Sequence, residues 1–219
     1  MNPSVSVARV RHVAGGRGNG IGVVSGTGSV AFGRSPAGQF ARCGGWGPVF
    51  GDEGSGAWIG RRALSVVTAS SDGREPPTAL TGAVLTAAEV DGIEELIGWA
   101  AAASPASLAT LAPAVMQTAE AGDLRANAVL SLAVEELVLH VRSLGRQLFA
   151  DERAAIPVAL SGGLLDRGSP LRRRLEHRLR TAVPGAQVRA EPVVPVRGAV
   201  RGALRLLGLA PETEADGAA

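Results

Sequence analysis

Residues 44–56 place one tryptophan and two carboxylates among six glycines, in the sequence Gly-Gly-Trp-Gly-Pro-Val-Phe-Gly-Asp-Glu-Gly-Ser-Gly. Glycine at this density costs backbone entropy, so it is typical of places where a chain turns sharply or lets another molecule touch its backbone. Trp46 offers a flat apolar face, and the carboxylate of Asp52 accepts hydrogen bonds from hydroxyl groups. This segment, here called the glycine-rich loop, therefore predicts a site for a polar ligand with an apolar face, such as a sugar.

Each of these side chains also has a purely structural interpretation. Glu53 stands just ahead of a helix expected over residues 57–69, where the helix dipole favours a carboxylate, so we interpret Glu53 as a helix cap. Capping is also open to Asp52, although the glycines before it favour ligand contact. Tryptophan belongs more often to a core than to a ligand site, but the glycine on each side of Trp46 favours the second role.

A second candidate is the sequence Ser25-Gly26-Thr27-Gly28-Ser29, which stands between two short apolar runs. The pattern predicts a β-hairpin with a glycine-rich tip. Successive N–H groups at such a tip, together with two hydroxyls, suit an anion such as phosphate. An ordinary hairpin turn would show the same glycines, and the motif alone does not decide between the two.

A third candidate is Ser161-Gly162-Gly163, directly after a buried strand expected over residues 156–160. Two glycines there would let a nucleotide base or ribose lie against bare backbone, but a tight strand-to-helix turn needs glycines for steric reasons alone. No lysine occurs in the chain, so a G-x-x-x-x-G-K-[ST] loop is absent, and no serine, histidine and acid arrangement stands out. The single Cys43 and three widely separated histidines encode no metal site.

The elements that must position these residues follow from hydrophobic periodicity. Residues 77–149 are rich in alanine and leucine and predict a helical insertion, whose longest helix spans about 123–149 and acts as a spine rather than a site. Further predicted elements are strands at 21–24, 30–32 and 187–194, an arginine-rich helix at 170–182, a short helix at 198–207 and a frayed tail. The pattern indicates an α/β fold.

Length and charge restrict the class of protein. The 219 residues and 46% hydrophobic content suffice for one substantial core. The 22 basic residues balance 20 acidic ones, and aromatic residues make up only 3%, which disfavours a nucleic-acid surface. No apolar run reaches the roughly 18 residues of a membrane helix, and no hydrophobic signal core is evident, so we expect a cytoplasmic protein.

Taken in chain order, the candidate motifs resemble those of N-acetylglucosamine kinases and, more broadly, of the BadF/BadG/BcrA/BcrD-type ATPases in the actin-like, hexokinase-like superfamily. The similar blocks are Ser25-Gly26-Thr27-Gly28-Ser29, Gly44-Gly45-Trp46-Gly47, Gly51-Asp52-Glu53-Gly54-Ser55, Ser161-Gly162-Gly163 and Arg197-Gly198-Ala199. The middle blocks are long and specific, whereas the last two count mainly through order and spacing. The resemblance implies a C-terminal, ribonuclease-H-like lobe over residues 21–209, with a mixed β-sheet, flanking helices and the helical insertion. Residues 1–20 do not match it, and residues 210–219 are expected to be a disordered tail.

The resemblance also implies ligands and roles. ATP with Mg²⁺ and an amino sugar such as N-acetylglucosamine would bind between two lobes that close for phosphoryl transfer. The ATP-binding residues would be Gly26, Thr27, Gly28, Gly162 and Gly163. The sugar-binding residues would be Ser29, Gly45, Trp46, Gly47 and Asp52.

Two features of the family do not appear in this sequence. The family's first lobe carries a D-x-G-x-T phosphate loop and an aspartate that acts as base on the sugar hydroxyl, but the first acidic residue here is Asp52. We therefore expect a C-terminal lobe with no assigned catalytic residue and no protein metal ligand, Asp52 being a remote candidate for the base. A first lobe in trans, or a homo-oligomer, would be the partner. The alternatives are a non-catalytic sugar- or nucleotide-binding module and a dehydratase-type ATPase activator, against which the single Cys43 argues.

Overall fold

The computed structural model describes residues 19–149 and 155–189 and confirms the predicted hairpin. Strand β1 (Gly20–Ser25) pairs antiparallel with β2 (Ser29–Arg34), and the pair Ser25 and Ser29 closes the turn. The tip consists of Gly26, Thr27 and Gly28. The motif expected to bind phosphate is thus held at the end of two fully paired strands.

Strand β3 (Phe40–Gly44) was not predicted, and it leads directly into the glycine-rich loop. It pairs antiparallel with β2, so that Gly44 lies opposite Val30. β3 forms the edge of the sheet, and its inward-facing residues Ala41 and Cys43 are small and half-buried, so it lacks the large apolar residues that reveal a strand in a sequence.

The other half of the sheet is parallel. Strand β4 (Ile156–Ser161) pairs parallel with β1, and β5 (Ala186–Val188) pairs parallel with β4, which gives the strand order β3-β2-β1-β4-β5. Because β1 and β4 run in the same direction, the turns that follow them lie at the same edge of the sheet. This register brings the hairpin tip and the Gly162-Gly163 turn together.

Seven α-helices and one 3₁₀ turn accompany the strands in the described residues. They are α1 (Gly56–Ser71), α2 (Leu80–Ala88), α3 (Ile93–Ala102), α4 (Pro105–Ala109), α5 (Ala112–Glu120), α6 (Leu124–Leu148), the 3₁₀ turn (Gly163–Leu165) and α7 (Pro170–Ala182). The predicted helices at 57–69, 123–149 and 170–182 are confirmed. The predicted strand at 187–194 is seen as β5 up to Val188, and residues from 190 onward, including the helix expected at 198–207, lie outside the described part.

Helix α6 packs directly on the sheet, in contact with β1, β2 and β3. Its N-terminus is capped by Asp123, whose carboxylate accepts hydrogen bonds from the N–H groups of Arg125 and Ala126. One apolar stripe of the helix is buried; it comprises Ala126, Val129, Leu130, Ala133, Val134, Leu137, Val138, Val141, Leu144 and Leu148. The helix therefore covers the sheet and reaches the end of β3, where the glycine-rich loop begins.

Several arginines of α7 form hydrogen bonds or ion pairs within the fold. The guanidinium of Arg172, only 6% exposed, donates to the carbonyl of Leu165 and pairs with Glu176. Other α7 arginines bind residues of α5 and α6, in the pairs Arg173 with Glu120, Arg174 with Asn127 and Arg178 with Glu135. The arginine cluster in the sequence thus holds α7 against its neighbours.

Among the described helices, none combines the length and the apolar character needed to cross a lipid bilayer.

Candidate functional site

The three glycine motifs meet at the edge of the sheet where β1 and β4 end. A Cβ on Gly162 would lie 2.2 Å from the carbonyl oxygen of Ser25, so the Gly162-Gly163 turn packs directly against the residue that precedes the hairpin tip. On the other side, the N–H of Gly56 at the start of α1 donates to the carbonyl of Gly26 at 2.8 Å. The residues predicted to bind ATP therefore adjoin the loop predicted to bind sugar.

The hairpin tip is fixed by hydrogen bonds to its carbonyl groups. Gly26 N–H donates to the carbonyl of Gly28 at 2.9 Å, and Ala57 N–H donates to the carbonyl of Thr27 at 3.3 Å. The carbonyls of Gly26 and Thr27 thus accept the first two amides of α1, those of Gly56 and Ala57, which otherwise have no partner at a helix start. Thr27 itself is exposed at the tip, where a ligand can reach its hydroxyl.

Asp52 ties the glycine-rich loop to the hairpin. Its carboxylate accepts hydrogen bonds from the backbone N–H groups of Gly47 and Ser29. The same carboxylate lies so close to Gly28 that a Cβ there would be 2.8 Å from Oδ2. Burial raises the pKa of Asp52, and the two amides offset that rise in part.

The backbone of Asp52 is left-handed, with φ of 57°, which is uncommon for a residue other than glycine. Two buried serines hold the segment in this conformation. The hydroxyl of Ser29 donates to the carbonyl of Glu53 at 2.6 Å, and the hydroxyl of Ser25 donates to the carbonyl of Gly54 at 2.8 Å. Backbone strain of this kind persists where the surroundings enforce it, and it is concentrated at functional sites.

The predicted role of Ser29 as a sugar contact stays a prediction. Its side chain is buried, with 3% of the residue exposed, and its hydroxyl is donated within the protein. Its backbone N–H serves Asp52. What the structure shows is that Ser29 holds the Glu53 carbonyl and donates to the Asp52 carboxylate.

Trp46 is not a core residue. It is 67% exposed, and the guanidinium carbon of Arg42 on β3 lies 4.6 Å from the centre of its ring. Trp58 and Trp99, in contrast, pack against the hydrophobic core. One face of the Trp46 ring is thus steadied by a cation, in an arrangement suited to an aromatic plate at the edge of a site.

The interpretation of Glu53 as a helix cap is wrong. The residue that caps α1 is Ser55, whose Oγ accepts a hydrogen bond from Trp58 N–H at 3.2 Å, and no acidic residue lies in the first turn. The Glu53 carboxylate instead faces α6, with Oε2 3.7 Å from Nε2 of His140. The amides that a carboxylate would cap already have partners in Ser55 and the hairpin tip.

The glycines of the site divide into two groups by the space around them. Gly45 and Gly162 are required by the fold, because both have positive φ and a Cβ would lie 2.6 Å from a Val30 methyl and 2.2 Å from the Ser25 carbonyl oxygen, respectively. Gly26 and Gly163 have neither constraint: an added Cβ meets nothing within 4 Å. At Gly162 the steric interpretation is sufficient, whereas at Gly26 and Gly163 the open space leaves room for the close approach of a ligand.

Two residues near the loop were missed by sequence reasoning. His140 lies on the buried face of α6 and is 7% exposed. Arg61 on α1 donates through Nη1 to the carbonyl of Pro48, which fixes the middle of the glycine-rich loop. Neither stands in a recognisable motif; the only available signal was a histidine at an apolar position of a long helix.

A groove of about 300 Å³ runs between the glycine-rich loop and α1. Its lining combines apolar, cationic and acidic side chains, namely Pro48, Val49, Phe50, Gly51, Glu53, Trp58, Arg61, Arg62 and Ser65. Val49 and Phe50 are 80% and 83% exposed. Within the described residues, no three histidine, cysteine or acidic side chains gather where they could hold a metal ion.

Comparison with known proteins supplies the family. The model of the BadF/BadG/BcrA/BcrD ATPase family matches residues 8–206. An N-acetyl-D-glucosamine kinase of Dictyostelium discoideum is 31% identical over 183 residues, which are 82% of this chain and 57% of that protein. An N-acetylmuramic acid/N-acetylglucosamine kinase of Clostridium acetobutylicum is 34% identical over 149 residues, covering 67% of this chain and 48% of that protein.

The fold is shared with solved structures. A structure described as a putative N-acetylglucosamine kinase from Chromobacterium violaceum superposes with a TM-score of 0.71 at 34% identity, over 89% of this chain and 63% of that one. A second such structure, from Porphyromonas gingivalis, has a TM-score of 0.61 at 19% identity with the same coverage, and it supports the fold alone. The predicted α/β fold of the actin-like ATPase type is confirmed, and the chain spans about half the length of the curated relatives that it matches.

Proposed function

The chain belongs to the BadF/BadG/BcrA/BcrD ATPase family, and on that premise we propose that it binds ATP and an amino sugar, such as N-acetylglucosamine, for phosphoryl transfer. The observation that carries the proposal is the junction at the edge of the sheet. There the open glycines 26 and 163 lie on two turns that meet at Ser25, and a strained, half-buried Asp52 reaches from the glycine-rich loop to Gly28 at the hairpin tip.

On this proposal the nucleotide lies across the carboxyl ends of β1 and β4. The exposed hydroxyl of Thr27, with the backbone of Gly26 and Gly28, contacts the phosphates. Gly163 admits the adenosine, and Gly162 shapes the turn that holds it. Ligands of open α/β sheets bind outside the carboxyl ends of the strands, which agrees with this position.

The sugar lies against the glycine-rich loop. Trp46 offers its free face to the apolar side of the ring, and the backbone of Gly45 and Gly47 permits close approach. Asp52 accepts hydrogen bonds from sugar hydroxyls with the lone pairs that its two amide donors leave. Ser29 supports Asp52 from behind, through its N–H and through its bond to the Glu53 carbonyl.

Phosphoryl transfer depends on positioning the hydroxyl in line with the terminal phosphate and on neutralising its charge. Mg²⁺ would supply that neutralisation and is proposed to arrive with the nucleotide, because this ion is usually held by phosphates, water and one or two carboxylates. The residues described here hold the two ligands in place. The proton acceptor and the first phosphate loop expected from the family have no counterpart before Asp52 in the sequence.

Calorimetry tests the binding proposal. We expect N-acetylglucosamine and ATP each to bind the 219-residue chain, and Asp52→Asn to weaken sugar binding by about tenfold, as for the loss of a charged hydrogen-bond acceptor. N-acetylmuramic acid is titrated in parallel because of the Clostridium relative. ATP binding should change little in this variant.

The matched control is Asp72→Asn, which alters an exposed aspartate at the other end of α1 that pairs with Arg74. It should bind sugar as the unaltered chain does. Equal heats for the Asp52 and Asp72 variants would remove Asp52 from the sugar site. If the chain bound neither the sugar nor ATP, the proposed function would be overturned.

A further inference from the structure

One face of α6 supports both ends of the glycine-rich loop. The residues concerned are Ala133, Leu137 and His140, which are three or four positions apart and so share one side of the helix. We call this set the loop seat. A Cβ on Gly54 would lie 2.8 Å from the Ala133 carbonyl oxygen and 2.6 Å from Cγ of Leu137, so the far end of the loop rests directly on the helix.

His140 contacts both the beginning and the end of the loop. A Cβ on Gly44 would lie 2.8 Å from Nε2 and 2.9 Å from Cε1 of the imidazole, so the ring packs against the backbone where β3 ends. The same Nε2 lies 3.7 Å from Oε2 of Glu53. A single side chain thus contacts both ends of a ten-residue stretch, residues 44–53, and Asp52 and Trp46 lie between its two contacts.

The polarity of His140 has a cost that packing alone does not explain. The residue is 7% exposed, and its Nδ1 has no hydrogen-bond partner in the part of the chain that the structure describes. A buried polar group without a partner destabilises a fold, and a leucine of similar size would avoid that cost. Of its contacts with the loop, the approach of Nε2 to the Glu53 carboxylate is the one that a leucine could not reproduce.

We propose that His140 is a positioning residue for the glycine-rich loop: through Gly44 and Glu53 it fixes the conformation in which Asp52 and Trp46 face the ligand. Its polar Nε2 is required, and apolar volume does not replace it. The effect on sugar affinity rests on the proposed function. The effect on the loop itself does not, and it is measurable without any ligand.

Hydrogen–deuterium exchange tests the loop directly. We expect His140→Leu to speed amide exchange over residues 44–54 by about fivefold, as for the loss of coupling between contacting residues, with little change in α6. His140→Gln, whose Nε2 occupies the same place, should stay near the unaltered chain. His177→Leu on α7 is the control, since that histidine lies outside the seat.

Glu53→Gln completes a double-mutant cycle and guards against a His140 variant that fails to fold. If the two side chains act together, His140→Leu adds little to the exchange rate of a chain that already carries Glu53→Gln. Two results would overturn the proposal and assign His140 to packing alone. One is loop exchange in His140→Leu as slow as in the unaltered chain; the other is that the effects of His140→Leu and Glu53→Gln on the exchange rate simply multiply.

The second arm measures affinity for N-acetylglucosamine. His140→Leu should weaken binding, and His140→Gln should restore it. Faster loop exchange with no binding by any chain would leave the positioning role intact and count against the proposed function, whereas unchanged exchange with normal binding would count against His140. The two failures therefore give different results.

Discussion

Asp52 combines two features that destabilise a protein, a left-handed backbone and a half-buried carboxylate. Stability alone gives no reason to keep them, because asparagine adopts the same backbone region more easily and carries no charge. Functional groups are often held in this way at some cost in stability. The proposed contact of Asp52 with a ligand would explain why both features are kept.

The first prediction concerns the stability of Asp52→Asn. Because burial raises the pKa of Asp52, the folded chain keeps that proton to higher pH than the unfolded chain, and the contribution of Asp52 to stability falls as pH rises through this range. Asp52→Asn removes that fall. Its free energy of unfolding, measured in urea, should equal or exceed that of the unaltered chain at about pH 7, by up to about 1 kcal/mol. A variant clearly less stable at neutral pH would show that the charge stabilises the fold.

The second prediction concerns His140. Its pKa is lowered because burial disfavours the imidazolium, an effect that the facing Glu53 offsets only in part; Glu136, on the same helix, also faces Glu53. The unfolded chain therefore binds a proton more readily, and stability is lost as pH falls from about 6.5 towards the folded pKa. Urea unfolding at about pH 5 and about pH 7.5 should show a smaller loss for His140→Gln than for the unaltered chain. Parallel losses in the two proteins would contradict this.

At the scale of elements, the turn after β4 offers a matched pair of glycines. Gly162→Ala should destabilise the fold by roughly 1–3 kcal/mol, because φ is +98° and the new Cβ would meet the Ser25 carbonyl oxygen. Gly163→Ala should leave stability nearly unchanged and weaken ATP binding. Thermal unfolding with nucleotide titration checks both. Full ATP affinity in Gly163→Ala would remove the nucleotide from this turn.

Much of the arrangement of elements could be predicted from the sequence, for physical reasons. The hairpin follows from its glycine-rich tip between apolar runs, and α6 follows from the recurrence of apolar residues after Asp123. β3 was missed because its inward-facing residues Ala41 and Cys43 are small and only half-buried. Glu53 was misread because Ser55 caps the helix and the hairpin tip accepts the amides of Gly56 and Ala57. His140 acquires its meaning only when the sheet sets the end of β3 against α6.

At the scale of the whole molecule, we expect ligand binding and phosphoryl transfer to be separable. The 219 residues offer no acidic residue before Asp52, so the chain alone should phosphorylate N-acetylglucosamine negligibly with ATP and Mg²⁺. Adding a segment that carries the family's D-x-G-x-T loop and base aspartate, fused or in trans, should produce turnover. A coupled kinase assay distinguishes the cases, and efficient turnover by the short chain would mean that Asp52 or another residue acts as base.

The most direct test of the central claim is an amide NMR titration of the ¹⁵N-labelled 219-residue chain. N-acetylglucosamine should shift the signals of residues 45–47 and 52 and the indole N–H of Trp46, and ATP should shift those of residues 26–28 and 163. Both sets should move while the amides of α7 stay in place. Sugar-dependent shifts located elsewhere in the described residues, with the glycine-rich loop unaffected, would contradict the claim that this loop is the amino-sugar site.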